Sequence, residues 1–118
     1  DPDPSDEELE ELGTFLDKIA EALGNNGSPE AVAEAVFQFH HELAVLSGNM
    51  LLPLLYHSFK PESLYLWSIS FKRDGRKKMC ESKVKLYQSL LNRDTAEAVR
   101  LTRESIDAPL TVLSEYTA

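Results

Sequence analysis

The sequence holds a single cysteine in 118 residues, so no internal disulfide can form and a disulfide-stapled secreted scaffold is excluded. Long hydrophobic runs are also missing. The longest, Met50 to Tyr56, is broken by Pro53 and falls short of the roughly 18 residues that a membrane span needs. No signal-peptide pattern is present, so a cytoplasmic location without membrane attachment is expected. Positive charge is scarce: 12 Lys+Arg against 20 Asp+Glu give a net charge of −8. That balance argues against the chain as a whole docking on phosphate backbones. There is no initiator Met before Asp1, which suits a chain starting inside a longer protein, or an engineered start. What remains is 42% apolar and 27% charged, the range of one globular domain with one core.

The charge is unevenly spread. Residues 1–30 hold ten acids and one base, whereas residues 60–103 hold eleven bases and five acids. Asp1-Pro2-Asp3-Pro4 cannot be helical and reads as a linker stub, leaving residues 5–118 as the domain. Everything after it reads as helix. Ser5-Asp6-Glu7-Glu8 is a capping box, followed by Leu9, Leu12, Leu16, Ile19 and Leu23 at helical spacing. Gly24-Asn25-Asn26-Gly27 stops that helix, and Ser28-Pro29 starts a second that runs to about Leu46. Ser47-Gly48 ends it and Asn49 caps a third, to about Phe59. Lys60-Pro61 kinks or breaks the chain before a helix from Glu62 to Phe71. After a turn at Asp74-Gly75, a basic helix spans Arg76 to Leu91. A second capping box at Asp94-Thr95-Ala96-Glu97 opens a last helix to about Tyr116, kinked at Pro109. Period-2 alternation and internal repeats are absent. The expected fold is all-α, an antiparallel helical bundle of about five to six helices.

Helical wheels turn three polar residues inward. His40 lies between the stripe Val32, Val36, Phe39, Leu43, Leu46 and the stripe Ala33, Phe37, Ala44; it is either a hydrogen-bonded core residue or a ligand. Lys83 falls inside an apolar arc of Met79, Cys80, Leu86, Tyr87, Leu90 and Leu91. It either snorkels outward or, if buried, needs an anion or gives up its proton. Ser105 shares a face with Ala98, Leu101, Thr102 and Val112. Pro109 leaves the Ser105 carbonyl without its helical donor, an acceptor open to water or to a ligand.

The segment Phe39-His40-His41-Glu42-Leu43-Ala44-Val45-Leu46-Ser47-Gly48-Asn49 resembles the Phe-His-x-x-Leu…Ser-Gly-Asn signature of the FCD domain. This is the C-terminal effector-binding domain of FadR-type regulators in the GntR superfamily. The stretch from Lys83 through Asp94 into Thr95-Ala96-Glu97-Ala98 is similar to the family's two closing helices, with Arg93-Asp94 in place of their Gly-Asp turn. The resemblance covers about residues 5–116. It implies a helical domain that forms a homodimer and binds a small carboxylate or acyl effector. DNA would be bound only through a separate N-terminal winged helix-turn-helix. That head, and the family's first effector-domain helix or two, are outside this sequence. Many family members hold a divalent metal with an Asp, a His four residues later, and one His on each closing helix. The matching positions here are Val36, His40, Lys83 and Ser105. One donor of four cannot hold such an ion, so neither a metal nor another cofactor is expected. The resemblance instead makes His40, Lys83, Ser105, Val36 and Tyr87 the ligand-binding positions. Lys83 would supply the positive charge that the metal gives elsewhere, or the pocket would be mostly apolar and take an acyl group.

Other signals have plainer readings. Lys72-Arg73 with Arg76-Lys77-Lys78 reads as a solvated helix start or a surface paired with the acidic first helix, rather than a nucleic-acid site. His40-His41 has no Ser, Cys or carboxylate partner at a recognisable spacing, so no enzyme is expected. Cys80 reads as inert core. Leu51, Leu52, Leu54, Leu55 and Trp67 are core candidates; with the family's first helices missing, some would be exposed or covered by a partner chain. A helical protein–protein interaction module without a small-molecule site is the alternative reading.

Overall fold

The chain starts its first helix with reciprocal bonds around Ser5. In the computed structural model, which describes residues 4–70 and 76–104, the Ser5 hydroxyl accepts from the Glu8 amide at 3.1 Å. The Glu8 carboxylate accepts from the Ser5 amide at 3.0 Å. Asp6, Glu7 and Glu8 place negative charge at the positive end of this helix, α1 (Asp6–Gly24). Leu9, Leu12 and Ile19 form its buried stripe. Asn26 takes the left-handed conformation, at φ 52°, in the turn that follows.

Ser28 caps α2 (Pro29–Leu46), its hydroxyl accepting from the Ala31 amide at 3.1 Å, and Pro29 fills the first turn where its missing N–H costs nothing. Val32, Ala33, Val36, Phe37 and Phe39 are buried along α2, a wider apolar arc than one neighbour would need. The excess is explained by what surrounds it: α2 touches α1, α3, α4 and α5.

At its end the chain turns a corner built by three residues. Ser47 donates its hydroxyl to the Ala44 carbonyl at 2.6 Å and accepts from the Asn49 amide at 3.2 Å. Gly48 takes φ 78°, open to a residue without Cβ, and Asn49 accepts from the Leu51 amide at 2.9 Å. From there α3 (Leu51–Ser58) folds back along α2, with Tyr56 against Phe37 at 5.1 Å between ring centroids. The break before α4 (Lys60–Ser70) falls at Phe59, one residue earlier than the sequence suggests, because Pro61 is tolerated in the first turn of the new helix.

α5 (Arg76–Leu91) runs antiparallel to α1. The two approach closely at Gly13, where a Cβ would lie 2.6 Å from the Tyr87 hydroxyl. A sixth helix, α6, covers residues 95–104. Asp94 caps it, accepting from the Glu97 amide at 3.1 Å. The expected return bond of a capping box is not made, since the Asp94 amide donates to the Ser89 carbonyl and Glu97 takes the Arg100 Nε. The described residues form an all-α helical bundle. The expected turn at Asp74-Gly75 and the last helix beyond residue 104 lie outside them.

Leu9, Leu12, Ile19, Val32, Ala33, Val36, Phe37 and Phe39 are at most 1% exposed and are joined by Trp67, Cys80, Leu86 and Leu101. Each large side chain so buried contributes about 1.5–3 kcal/mol. Leu51, Leu52, Leu54 and Leu55 are exposed, whereas Trp67 is in the core. Leu91, expected in the apolar arc of α5, is exposed as well, being in the last turn of its helix.

Candidate functional site

α2 and α5 each send one basic side chain into this apolar interior. Lys83 is 0% exposed, and its Nζ has no hydrogen-bond partner. It does not snorkel. The His40 ring is partly reached by solvent, yet its Nε2 is sealed and equally unpartnered. These two atoms are the unsatisfied buried side-chain nitrogens among the described residues. A buried polar group left in this state costs about 1–3 kcal/mol, more when charged.

Their electrostatics are joined. Burial lowers the Lys83 ammonium to about 8, opposed by the nearby Cys80 thiol. Burial also holds His40 well below the usual imidazole range, and the Lys83 charge pushes it further down. At neutral pH the pair is therefore one ammonium beside one neutral imidazole. Among the described residues no carboxylate contributes to either shift.

The walls are aromatic. The His40 ring stacks on Trp67 of α4 at 5.5 Å and 21° and on Tyr56 of α3 at 6.1 Å and 28°. Phe39 meets its edge at 5.6 Å. Burial pushes the Tyr56 phenol up, so it stays protonated. Val36, one turn before His40, is fully buried and adds an apolar side chain. Tyr87, one turn after Lys83, directs its hydroxyl to Gly13 of α1. Ser105 lies outside the described residues. The structure thus sets His40 on the aromatic pair Tyr56 and Trp67, and Lys83 close enough for its charge to act on His40. Tyr56 carried no signal in the sequence spacing, because its contact with His40 depends on how α3 folds back on α2.

The donor set does not suit a divalent metal. Val36 offers no donor atom, and Lys83 places positive charge where a cation would sit. Among the described residues no group of three or more His, Cys, Asp or Glu side chains converges. An anion suits the same geometry: among the described residues the ammonium has no counter-charge and the imidazole has an unused nitrogen.

A family model for the FCD domain matches residues 2–108. No curated protein and no solved structure matches the chain. The family match spans the helices that hold His40 and Lys83, together with the Ser47-Gly48-Asn49 corner. The chain belongs to the FCD domain family, the C-terminal effector-binding domain of GntR-family transcription regulators.

Proposed function

We propose that this domain senses a small acidic or acyl effector between α2 and α5 in a FadR-type regulator, without metal and without catalysis. The observation that carries the reading is the sealed, unpartnered Lys83 ammonium beside His40. An effector carboxylate accepts from Lys83 Nζ and engages His40 Nε2, and the rest of the ligand lies along Tyr56, Trp67 and Val36. Binding favours one arrangement of the helices over another, and that population shift changes how a separate winged helix-turn-helix meets its operator in the cytoplasm.

The domain works as a homodimer in this reading. Residues 43–59 contain no Asp, Glu, Lys or Arg, and Met50, Leu51, Leu54, Leu55 and Phe59 are each more than half exposed. An uncharged apolar surface on a chain of net charge −8 is where two copies meet without repulsion.

Calorimetric titration with short mono- and dicarboxylates, and with an acyl-coenzyme A, tests the assignment. Replacing Lys83 with Met should weaken carboxylate binding roughly 10- to 100-fold, the size of a lost charge-assisted hydrogen bond. Unchanged affinity for a carboxylate removes the anion role. Binding of the acyl compound alone, indifferent to Lys83, assigns the apolar version. Absence of binding by any probe favours the interaction module.

A further inference from the structure

The turn from α5 to α6 places an arginine where the backbone is shaped for glycine. Arg93 sits at φ 57°. Its amide donates to the Leu90 carbonyl at 3.1 Å, and the next amide, of Asp94, donates to the Ser89 carbonyl at 2.9 Å. This is the Schellman arrangement, whose left-handed residue is usually glycine because a Cβ crowds the neighbouring carbonyl oxygen. A side chain persists at such a position when its surroundings hold it there.

Arg93 is held. Its Nη1 donates to the Pro4 carbonyl at 2.6 Å, and its Nη2 meets the Asp6 carboxylate at 3.1 Å. Pro4 and Leu9 face Ser89, Leu90, Arg93, Asp94 and Thr95 across a small cleft of about 110 Å³. The segment leading into α1 thus rests on the turn that closes α5. A planar fork with several fixed N–H groups meets a carbonyl and a carboxylate from two separate nitrogens, whereas a lysine must serve both from one ammonium. On the inner face of α5, Lys83 is eight residues before its last residue, Leu91, about 12 Å along the axis.

We propose that Arg93 pins the segment leading into α1 to the end of α5, so that a displacement of α5 at Lys83 is delivered to the chain upstream of Ser5. The pin stands on its own contacts, and only its input at Lys83 rests on the effector reading above. Arg93 is a positioning residue: it transmits and does not touch the ligand. The strained backbone and the two long-range bonds belong together, since glycine in its place would relax the turn and lose both contacts.

Hydrogen exchange of residues 5–12, measured alongside thermal unfolding, tests the pin. Arg93→Gly should speed exchange in this segment roughly three- to tenfold while the unfolding midpoint stays level or rises. Arg93→Lys should fall between, and Asp6→Asn should reproduce part of the effect. Unchanged exchange in Arg93→Gly overturns the pin, and so does faster exchange spread evenly over the whole chain with a lower midpoint. Delivery is tested without any ligand by a double-mutant cycle with Lys83→Met, which discharges the interior of α5. Lys83→Met should alter exchange of residues 5–12 when Arg93 is present and leave it unchanged in the Arg93→Gly background. Additive effects overturn the coupling. A failure of the effector reading shows separately, as an absence of binding in the titrations.

Discussion

Apolar side chains line both sides of α2 and meet opposite fates. Toward α1, side chains such as Leu9, Leu12, Val32 and Val36 are at most 1% exposed. Toward α3, the run Met50-Leu51-Leu52-Pro53-Leu54-Leu55 has no buried residue at all. Apolar residues alone do not make a core; neighbours on both sides do. α1 has a polar back, with acids at positions 7, 8, 10, 11, 17 and 21, so its single stripe finds α2 and is satisfied. α3 is apolar nearly all round, so one contact with α2 covers only part of it.

Breaking the packed side should cost most. Phe37→Ala, at 1% exposure, is expected to lower the unfolding free energy by about 3–5 kcal/mol in a denaturant titration. Leu54→Ala, at 66% exposure, should change it by less than about 1 kcal/mol at a concentration where the protein is monomeric. Equal losses would mean that α3 is covered in solution.

The buried pair on the packed side sharpens the contrast through pH. An unfolded lysine keeps its proton to about 10.5, but the folded Lys83 releases it from about 8. Between those values the unfolded chain binds more protons, so stability should rise with pH, by roughly 3 kcal/mol at most. Lys83→Met removes that rise. On the acid side, unfolded imidazole takes a proton below 6.5 whereas folded His40 resists it, so stability falls as the pH drops through that range. Unfolding midpoints of both proteins from pH 5 to 10 measure the two slopes.

Smaller again is the effect of a methyl group in each of two places. Gly13→Ala sets a Cβ 2.6 Å from the Tyr87 hydroxyl and should cost about 1–3 kcal/mol, less if Tyr87 swings aside. Gly24→Ala meets nothing within 4 Å and should be neutral or stabilising by up to about 1 kcal/mol. The smallest change is expected at Lys60–Glu34, a partly exposed pair at 2.9 Å, where Glu34→Gln should alter stability by about 0.5 kcal/mol and lose even that in high salt.

What the sequence made legible was local. Ser5 with Glu8, Ser28 with Pro29, and the Ser47-Gly48-Asn49 corner are short-range arrangements whose partners sit within a few residues. The inward turn of Lys83 was legible too, from periodicity. Whether it then snorkelled was not, because that depends on the packing of helices far apart in sequence. The same holds for Tyr56 and Trp67 on His40, and for Arg93 on Pro4: each contact joins segments whose separation carries no pattern. A wheel gives a direction and no distance. It also placed Leu91 inside, where the end of the helix leaves it exposed.

The Ser47-Gly48-Asn49 corner has a consequence for how such domains diversify. Every bond these three residues make is to nearby main chain, and none reaches His40 or Lys83. The corner is therefore structural, and of the Phe-His…Ser-Gly-Asn signature it is His40 that belongs to the proposed effector site. In the proposed reading, Val36 and Lys83 could change the chemistry of the interior while the corner, and with it the architecture, stayed as it is. The corner sets where α3 begins and leaves the choice of ligand to other residues.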